Sequence, residues 1–190
     1  MIIRKATRKD SDTIATLLLL AMEDITYKLV TENDYDKARR FLKYFIEQEN
    51  NQYSYENCTV VEADTVIIAA VNIYDGGQLE TLRAPIIKYI KTFYNSQLHI
   101  ENETQNGEFY IDALGVCKTH QGQGIGSKLL QHLIQEYVVN RKETLGLLVD
   151  KRNPNAKKLY LKLGFKPVGE KELLSYHLDH LQIRHQELQS

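Results

Sequence analysis

The sequence predicts a central mixed β-sheet flanked by helices, in one domain of the α/β or α+β class covering residues 1–190. The first observation is the order of segments, in which β-branched, apolar runs alternate with apolar stripes at helical spacing. The second is the lack of an internal repeat or of a composition break that would mark a linker. The third is composition, since 43% hydrophobic and 26% charged residues are ordinary for a folded domain and atypical of a disordered chain.

Charge and cysteine content argue against several classes of protein. The 24 basic and 25 acidic residues give a net charge of −1, without the basic excess of a general nucleic-acid-binding surface. Cys58 and Cys117 lie far apart, so we expect two free buried thiols rather than a disulfide scaffold or a zinc site. The apolar residues 13–22 are bounded by carboxylates, which favours an amphipathic helix over a signal peptide. We therefore expect a cytoplasmic protein with no membrane segment and no nucleic-acid partner.

The first half of the chain divides into two helices and three strands. Residues 2–6 predict a strand, and Asp10 or Ser11 is expected to cap a helix with the apolar stripe Ile14, Leu17, Leu18, Ala21 and Ile25. Residues 33–48 predict a second helix with the apolar face Ala38, Phe41, Leu42 and Phe45. Residues 50–57 are polar and predict a loop. Residues 58–63 and 66–74 are β-branched runs joined by Asp64-Thr65, which predicts a hairpin.

The second half adds further helices and strands. Residues 79–93 fit a helical stripe at Leu82, Ile86, Ile90 and Phe93, but Pro85 interrupts it unless a new helix begins there. Residues 95–107 predict a polar surface loop and residues 108–116 a strand. Residues 124–140 predict the strongest helix, with the stripe Leu129, Leu130, Leu133, Ile134, Tyr137 and Val138. A buried strand follows at 144–149, then a helix that begins at Asn153-Pro154 and ends at Gly164, and last strands at 165–168 and 173–183.

The segment that joins strand 108–116 to helix 124–140 contains three glycines at alternating positions, Gly122, Gly124 and Gly126. Glycines permit a tight turn and the close approach of a ligand to the backbone. The first amides of a helix lack internal partners and lie at the positive end of its dipole, so a pyrophosphate would bind there. Ser127 and Lys128 depart from the dinucleotide fingerprint and from the Walker loop. A plain strand-to-helix turn is the alternative.

Three motifs in register resemble the GNAT superfamily of N-acetyltransferases over residues 108–168. Gln121-Gly122-Gln123-Gly124-Ile125-Gly126 is similar to the family's acetyl-CoA loop, Gln/Arg-x-x-Gly-x-Gly/Ala. Leu114-Gly115-Val116 is similar to its Leu-x-Val strand, and residues 153–165 are similar to its Asn-x-x-Ala-x-x-Leu-Tyr-x-x-x-Gly-Phe helix. The resemblance implies a mostly antiparallel twisted sheet and direct transfer of an acetyl group from acetyl-CoA, as co-substrate, to a primary amine. Lys118 stands where a proline is frequent, which removes no backbone amide.

The resemblance also implies roles for particular residues. Acetyl-CoA is expected at Leu114, Gly115, Val116, Gln121, Gly122, Gln123, Gly124, Ile125, Gly126, Ser127, Asn153, Ala156, Lys157 and Tyr160. A main-chain amide of residues 114–116 is expected to stabilise the oxyanion, and Tyr160 to protonate the leaving thiolate. Asp112 is the candidate base or amine-binding carboxylate, because an unbulged strand would place it on one face with Leu114 and Glu108. A purely structural aspartate is the alternative at this position.

Several other groups and functions remain open at this level. The carboxylates of Glu23, Asp24, Glu32, Asp34 and Asp36 either select a cationic amine or form a solvated helical face. His177, Asp179, His180 and His185 are poorly spaced for a shared metal, and no His or Asp partner that would make Cys117 a nucleophile can be placed beside it. Residues 78–107 form either a cap over the acceptor pocket or an extra surface element.

An enzyme would acetylate a small-molecule amine or a protein amine, and the family resemblance is compatible with a homodimer that no sequence feature demonstrates. The alternatives are a non-catalytic acyl-CoA-binding or regulatory module, and a partner-binding protein that uses residues 50–57 and the tail after Leu181.

Overall fold

The computed structural model describes residues 1–95 and 97–188, and within them seven strands form one sheet. The strands are β1 (Ile2–Lys5), β2 (Cys58–Ala63), β3 (Val66–Asp75), β4 (Phe109–Val116), β5 (Leu145–Asp150), β6 (Lys166–Leu173) and β7 (Tyr176–Ile183). They lie in the order β1-β2-β3-β4-β5-β7-β6, and neighbours are antiparallel except for the parallel pair β4–β5. The predicted mixed, mostly antiparallel sheet is confirmed.

The described helices lie on both faces of this sheet: α1 (Ser11–Val30), α2 (Tyr35–Ile46), α3 (Leu79–Phe93), α4 (Ile125–Leu133) and α5 (Pro154–Lys162). Helix α4 continues as a π-helical segment over Ile134–Asn140. Apolar side chains of α1, α2 and α3 form a core on one face, whereas those of α4 and α5 pack on the other. The stripe predicted for residues 124–140 is buried throughout. In the part of the chain described, no helix has the length and apolar character needed to cross a membrane.

Helix α1 is kinked at Met22, whose φ of −131° and ψ of 27° are not helical. The predicted stripe residues Ile14, Leu17 and Leu18 are buried, but Ala21, which precedes the kink, is exposed. The prediction for Ala21 is therefore wrong, because a stripe extrapolated at constant helical spacing assumes an unbroken helix. The kink brings the middle of α1 to the wall of the cavity described below.

Asp10 lies at the N-terminus of α1, but its carboxylate does not bond the first helical amides. It accepts hydrogen bonds from the Thr7 amide and from Arg4, both at 2.8 Å. The Ser11 hydroxyl donates to the Arg8 carbonyl at 2.6 Å. The predicted capping of α1 by either side chain is therefore wrong, because the short 3₁₀ turn before the helix engages both of them.

Helix α3 is continuous through Pro85, so the predicted interruption does not occur. A proline in a helix removes one hydrogen bond to the residue four positions earlier, which here is Thr81. Thr81 is exposed, so water can reach the freed carbonyl. Ile86 and Ile90 are buried as predicted, whereas Phe93 is 65% exposed, against the prediction. Tyr94, the next residue, packs against the core instead.

Two segments predicted as loops are irregular, but they are not surface segments throughout. Within residues 50–57 and 95–107, of which residue 96 lies outside the described residues, five polar side chains are buried: Asn51, Gln52, Ser54, Glu103 and Thr104. Polar composition was the only basis for predicting a surface loop at 95–107, and composition does not reveal hydrogen-bond partners that lie elsewhere in the chain.

The hairpin turns differ in how well they were predicted. Asp64 and Thr65 form the β2–β3 turn with φ of 49° and 66°, which confirms that hairpin. The β6–β7 turn is formed by Leu174 and Ser175, with φ of 49° and 69°. The predicted boundary between the last two strands is therefore wrong: Leu173 ends β6 and does not begin β7.

Candidate active site

The parallel strands β4 and β5 separate soon after they pair. Phe109, Tyr110 and Ile111 pair with residues 145–147 of β5, and beyond Ile111 the described pairing of β4 is with β3 alone. The β5 side of residues 112–116 is therefore open, and its main-chain groups border a wedge between the carboxyl ends of two parallel strands. Ligands commonly bind at such a position in α/β sheets.

A β-bulge lies at Asp112, where the wedge opens. Asn72 of β3 pairs with Ala113, and its neighbour Ile73 pairs with Ile111, so Asp112 is the extra residue. Asp112 and Ala113 consequently both lie on the face covered by α1, whereas Leu114 packs on the α4 face. The prediction that Asp112 and Leu114 share a face is therefore wrong, because it assumed strict alternation along the strand.

The glycine loop leads directly into α4. Gly122 and Gly124 have φ of 76° and 77°, and a Cβ on either residue would meet no atom within 4 Å. The Gln121 side chain donates to the Val116 carbonyl at 3.0 Å, which ties the loop to the end of β4. Since α4 begins at Ile125, the first amides of the helix face the open side of an exposed loop. This arrangement could hold an anionic group such as a pyrophosphate.

Helix α5 contributes the other residues expected to contact the cofactor. Asn153 Oδ1 accepts a hydrogen bond from the Ala156 amide at 3.1 Å, which confirms the predicted cap. Lys157 is ion-paired with Asp179 at 2.8 Å, so its charge is already partly neutralised. Tyr160 is half-buried, and its hydroxyl has no hydrogen-bond partner among the described residues. Burial raises the pKa of Tyr160, so at neutral pH this hydroxyl keeps its proton.

A cavity of about 330 Å³ lies on the α1 face of the sheet, beside the bulge. Five carboxylates line it, namely Glu23, Asp24, Glu103, Asp112 and Asp150, together with the guanidinium groups of Arg83 and Arg152. Each guanidinium is ion-paired with one of these carboxylates, Arg83 with Glu103 and Arg152 with Asp150. The cavity is therefore anionic. Its apolar lining comes mainly from α1, α3 and the β6–β7 hairpin, with Ile100 and Leu148 beside them.

The acidic group predicted around the first two helices is divided by the fold. Glu23 and Asp24 line the cavity, next to the α1 kink. Glu32 is ion-paired with Lys37 at 2.7 Å, and the Asp34 carboxylate caps α2. Selection of a cationic amine, one of the two interpretations left open by the sequence, therefore fits Glu23 and Asp24. The other carboxylates of the group have helix-capping or surface roles.

Asp112 lines the cavity beside the polar side chains of Gln52 and Arg83. Burial raises the pKa of Asp112 to about 6, against the hydrogen bond from Gln52 and the positive charge of Arg83, which lower it. Gln52 Nε2 donates to Asp112 Oδ2 at 3.1 Å. Neither Gln52 nor Arg83 was predicted as a site residue, since both belong to segments without a recognisable motif. The only signal in the sequence for either residue was Arg83 itself, which interrupts the apolar stripe of α3.

Glu108, the other carboxylate predicted on this face, is fully engaged. It accepts hydrogen bonds from Thr104 at 2.7 Å, from Gln182 at 2.7 Å and from His180 at 2.8 Å. It also lies against Gly146, where a Cβ would be 1.9 Å from Glu108 Oε2. Glu108 therefore anchors the 95–107 segment and β7 to the sheet.

In the described ranges, no three His, Cys, Asp or Glu side chains are grouped to hold a metal ion.

The setting of Cys117 corrects two predictions. Cys117 is only half-buried, whereas Cys58 is buried, and both thiols are free. Cys117 Sγ lies 3.3 Å from Thr119 Oγ1, which lies 3.0 Å from His120 Nδ1, so a histidine does stand near the thiol. Hydrogen bonds from Thr119 and His120 lower the pKa of Cys117 to about 7. The sequence could not place His120 because the short turn that brings it back is not an element with a periodic pattern.

Comparison with known proteins bears on this geometry. The sequence pattern described as the acetyltransferase (GNAT) family matches residues 19–165. A Bacillus subtilis subsp. natto protein named probable spermine N(1)-acetyltransferase is 32% identical over 71 residues, which are 37% of this chain and 47% of that protein. The matched part of the chain thus spans about half the length of that relative.

Two solved structures are similar to the chain over nearly its whole length. An N-acetyltransferase from Staphylococcus aureus Mu50 is 24% identical, with a TM-score of 0.84 over 96% of this chain and 100% of that one. A second crystal structure, described as an acetyltransferase, is 29% identical, with a TM-score of 0.79 over 97% of this chain and 99% of that one. The first likeness supports the fold, and the second also agrees with the family match.

Proposed function

The chain belongs to the acetyltransferase (GNAT) family, and we propose that it transfers the acetyl group of acetyl-CoA directly to a primary amine of a small aliphatic polycation. Membership makes the chain an acetyl-CoA-dependent N-acyltransferase, with acetyl-CoA as its co-substrate. The observation that carries the acceptor half of the proposal is the anionic cavity, which reaches Asp112 at the bulge beside the β4–β5 wedge.

The cofactor half of the proposal rests on the loop and the wedge. The loop amides before and within the first turn of α4 would bind the pyrophosphate, with Gly122 and Gly124 leaving the approach open. The pantetheine arm would then lie between β4 and β5, near Asn153, and the thioester would reach the open edge of residues 114–116. A main-chain amide of that edge would stabilise the oxyanion of the tetrahedral intermediate.

The acceptor half rests on charge. An aliphatic amine enters as an ammonium ion, and the cavity carboxylates that have no guanidinium partner, Glu23, Asp24 and Asp112, would attract it. Apolar side chains of α1 and the β6–β7 hairpin would contact the methylene groups. The likeness to a protein named as a spermine acetyltransferase also supports an acceptor with several amines and methylene spacers.

The chemistry then needs two proton transfers by this chain. Asp112 accepts a proton from the ammonium group, and the neutral amine attacks the thioester carbonyl. The C–N bond forms, the nitrogen of the tetrahedral intermediate loses its extra proton to solvent, and the C–S bond breaks as the intermediate collapses. Tyr160 donates its proton to the leaving thiolate, because its hydroxyl is protonated at neutral pH. The tyrosine then regains a proton from solvent.

The test is thiol release from acetyl-CoA with paired acceptors, an α,ω-diaminoalkane or spermine against a monoamine of the same chain length. We expect kcat/KM to be higher for the polycations. Asp112→Asn should lower kcat/KM by about 100-fold without changing the Kd of acetyl-CoA, because a positioned base contributes roughly that factor. Asp36→Asn is the matched control, since Asp36 is exposed on α2 and does not line the cavity. Binding of acetyl-CoA with no thiol release for any amine would instead support the non-catalytic acyl-CoA-binding module.

A further inference from the structure

The segment that carries Gln52 is held far more firmly than a connecting loop requires. Asn51 Nδ2 donates to the carbonyls of Phe45 and Gln48, at 2.9 and 3.0 Å. The Gln52 amide donates to the Leu82 carbonyl of α3 at 2.9 Å. Asn72 of β3 donates to the Gln52 carbonyl at 3.2 Å. The backbone of Gln52 is therefore fixed to a helix and a strand, and its side chain is directed toward the cavity.

The orientation of the Gln52 amide follows from the charges around it. Oε1 accepts from Arg83 Nε at 3.3 Å, and Nε2 lies 2.8 Å from Glu103 Oε1 and 3.1 Å from Asp112 Oδ2. The reversed amide would place its oxygen against two carboxylates and its NH₂ against a guanidinium. Nε2 also lies 3.1 Å from the Tyr74 hydroxyl oxygen, whose own proton is donated to Glu103 at 2.8 Å. The two protons of Nε2 are therefore shared among three acceptors, of which Glu103 and Asp112 are the charged ones and form the stronger bonds.

Arg83 does not replace Gln52 as the hydrogen-bond donor to Asp112. Arg83 is buried, is ion-paired with Glu103, and donates to the Glu101 carbonyl at 2.9 Å. Its charge is therefore largely balanced by Glu103, and Asp112 has no ion pair among the described residues. The hydrogen bond from Gln52 engages Oδ2 of Asp112. The other oxygen, Oδ1, has no donor in the described chain and is left for the cavity.

We propose that Gln52 is the positioning residue of this site: it holds Asp112 through Oδ2, so that Oδ1 is presented to the acceptor amine. The inference rests on the proposed function, in which Asp112 is the base. Gln52 touches no reacting atom in this scheme and acts only through Asp112. Removing its donor while keeping its volume should make the carboxylate both harder to ionise and less well oriented.

Every charged or titratable side chain that faces Asp112 must be considered before a pH profile is assigned to it. The groups that line the cavity with Asp112 or interact with it electrostatically are Tyr53 from the buried loop, Tyr74 of β3, Tyr110 of β4, Arg83 of α3, Glu103, Glu23 and Asp24 of α1, Asp150 of β5, Arg152, Tyr176 of β7 and the buried thiol of Cys58 of β2. Burial raises the pKa values of Tyr53, Tyr74 and Tyr110, so these hydroxyls stay neutral in the acidic and neutral range. Burial also raises the pKa of Asp112 to about 6, which sets it apart from an ordinary carboxylate.

The experiment is the pH profile of kcat/KM for Gln52→Met, which keeps the length of the side chain and removes the donor. We expect the acid limb to move up by about one pH unit, because a hydrogen bond to a charged group is lost. The kcat on the alkaline plateau should fall by about tenfold, with the Kd of acetyl-CoA unchanged. Gln131→Met is the control, since Gln131 is exposed on α4. Gln52→Glu is the second variant, and by adding a carboxylate beside Asp112 it should move the acid limb further.

The outcomes separate this inference from the proposed function. If Asp112→Asn keeps the activity and pH profile of the wild type, the assignment of Asp112 as the base fails. If Asp112→Asn is impaired while a folded Gln52→Met or Gln52→Glu variant keeps the wild-type acid limb and plateau, Gln52 is not a positioning residue. A shifted limb and a lowered plateau in both Gln52 variants support the proposal.

Discussion

Substitution of Gly124 by alanine probes the cofactor loop with little disturbance elsewhere. Gly124 precedes α4 with φ of 77°, and an added Cβ would meet no protein atom within 4 Å. The cost to the folded chain is therefore the backbone strain of a left-handed alanine, roughly 1–2 kcal/mol. For a domain of this size that corresponds to a fall in Tm of about 2–8 °C. The open space beside Gly124 is where we place the pyrophosphate.

The loss of binding free energy for acetyl-CoA in Gly124→Ala should be larger than the free-energy cost of the backbone strain. A methyl group in that space displaces the phosphate from one or more amides, and a charge-assisted hydrogen bond contributes about 1.5–3 kcal/mol. The Kd of acetyl-CoA should then rise by about 10- to 150-fold. Calorimetric titration measures the Kd, and thermal unfolding of the free protein measures the strain.

Two other glycines supply matched controls. Gly107 has φ of 94° and equally open surroundings, but it lies in the segment before β4, so Gly107→Ala should lower Tm without changing the Kd. Gly126 lies in the first turn of α4, and its added Cβ would make ordinary contacts of 3.6 and 3.7 Å with Leu114 and Val116. Gly126→Ala retains the main-chain amide that is expected to contact acetyl-CoA, and the family motif accepts Gly or Ala at this position, so the Kd should change little. Tm should rise slightly, because alanine favours the helix. A wild-type Kd in Gly124→Ala would refute the placement of the pyrophosphate at this loop.

Three further predictions follow from the structure. Tyr160→Phe should lower kcat by about 100-fold and leave the Kd of acetyl-CoA unchanged, as measured by thiol release and calorimetry; an unchanged kcat would remove Tyr160 as the general acid. Gly115→Ala should lower the free energy of unfolding in urea by about 3 kcal/mol or more. The added Cβ would lie 1.8 Å from the Leu17 carbonyl oxygen, and only a backbone shift relieves that contact. A loss below about 1 kcal/mol would contradict the close approach of α1 to β4. Burial alone would raise the pKa of Glu108, but hydrogen bonds from His180 and other side chains outweigh this effect, so the pKa is lowered. The ionised carboxylate therefore stabilises the folded protein above about pH 4.5, and this stabilisation is lost as the pH falls through the folded pKa. The free energy of unfolding should therefore fall less steeply below pH 4.5 in Glu108→Gln than in the wild type, and parallel curves would argue against the contribution of this carboxylate.

The elements that the sequence predicted well are those with a local cause. The glycines of the loop, the buried stripe of α4 and the cap at Asn153 each depend on neighbours within a few positions. The alternation of apolar residues likewise predicted most strands, because each strand needs only one buried face to leave a pattern. The loop, the start of α4 and the cap of α5 were therefore accessible from sequence motifs, and the binding of acetyl-CoA at these residues stays a prediction.

The acceptor half was not accessible, because it is assembled from contacts between distant segments. The bulge at Asp112 exists only in the register of β4 against β3, whereas strict alternation predicted that Asp112 and Leu114 share a face. Gln52 reaches Asp112 across 60 positions and accepts from Arg83 across 31 positions. Neither contact leaves a periodic signal, and polar composition alone suggested that the segment around Gln52 was an ordinary loop.

Quantification of both products in one reaction tests the central claim most directly. Enzyme, acetyl-CoA and an α,ω-diaminoalkane are quenched at intervals, free CoA is measured by its thiol, and the N-acetylated amine is measured by mass spectrometry. We predict that the two products appear in equal amounts, and that the rates of formation of both fall together, by about 100-fold, in Asp112→Asn. Release of CoA without an acetylated amine would show hydrolysis rather than transfer, and would contradict the assignment of the anionic cavity as the acceptor site.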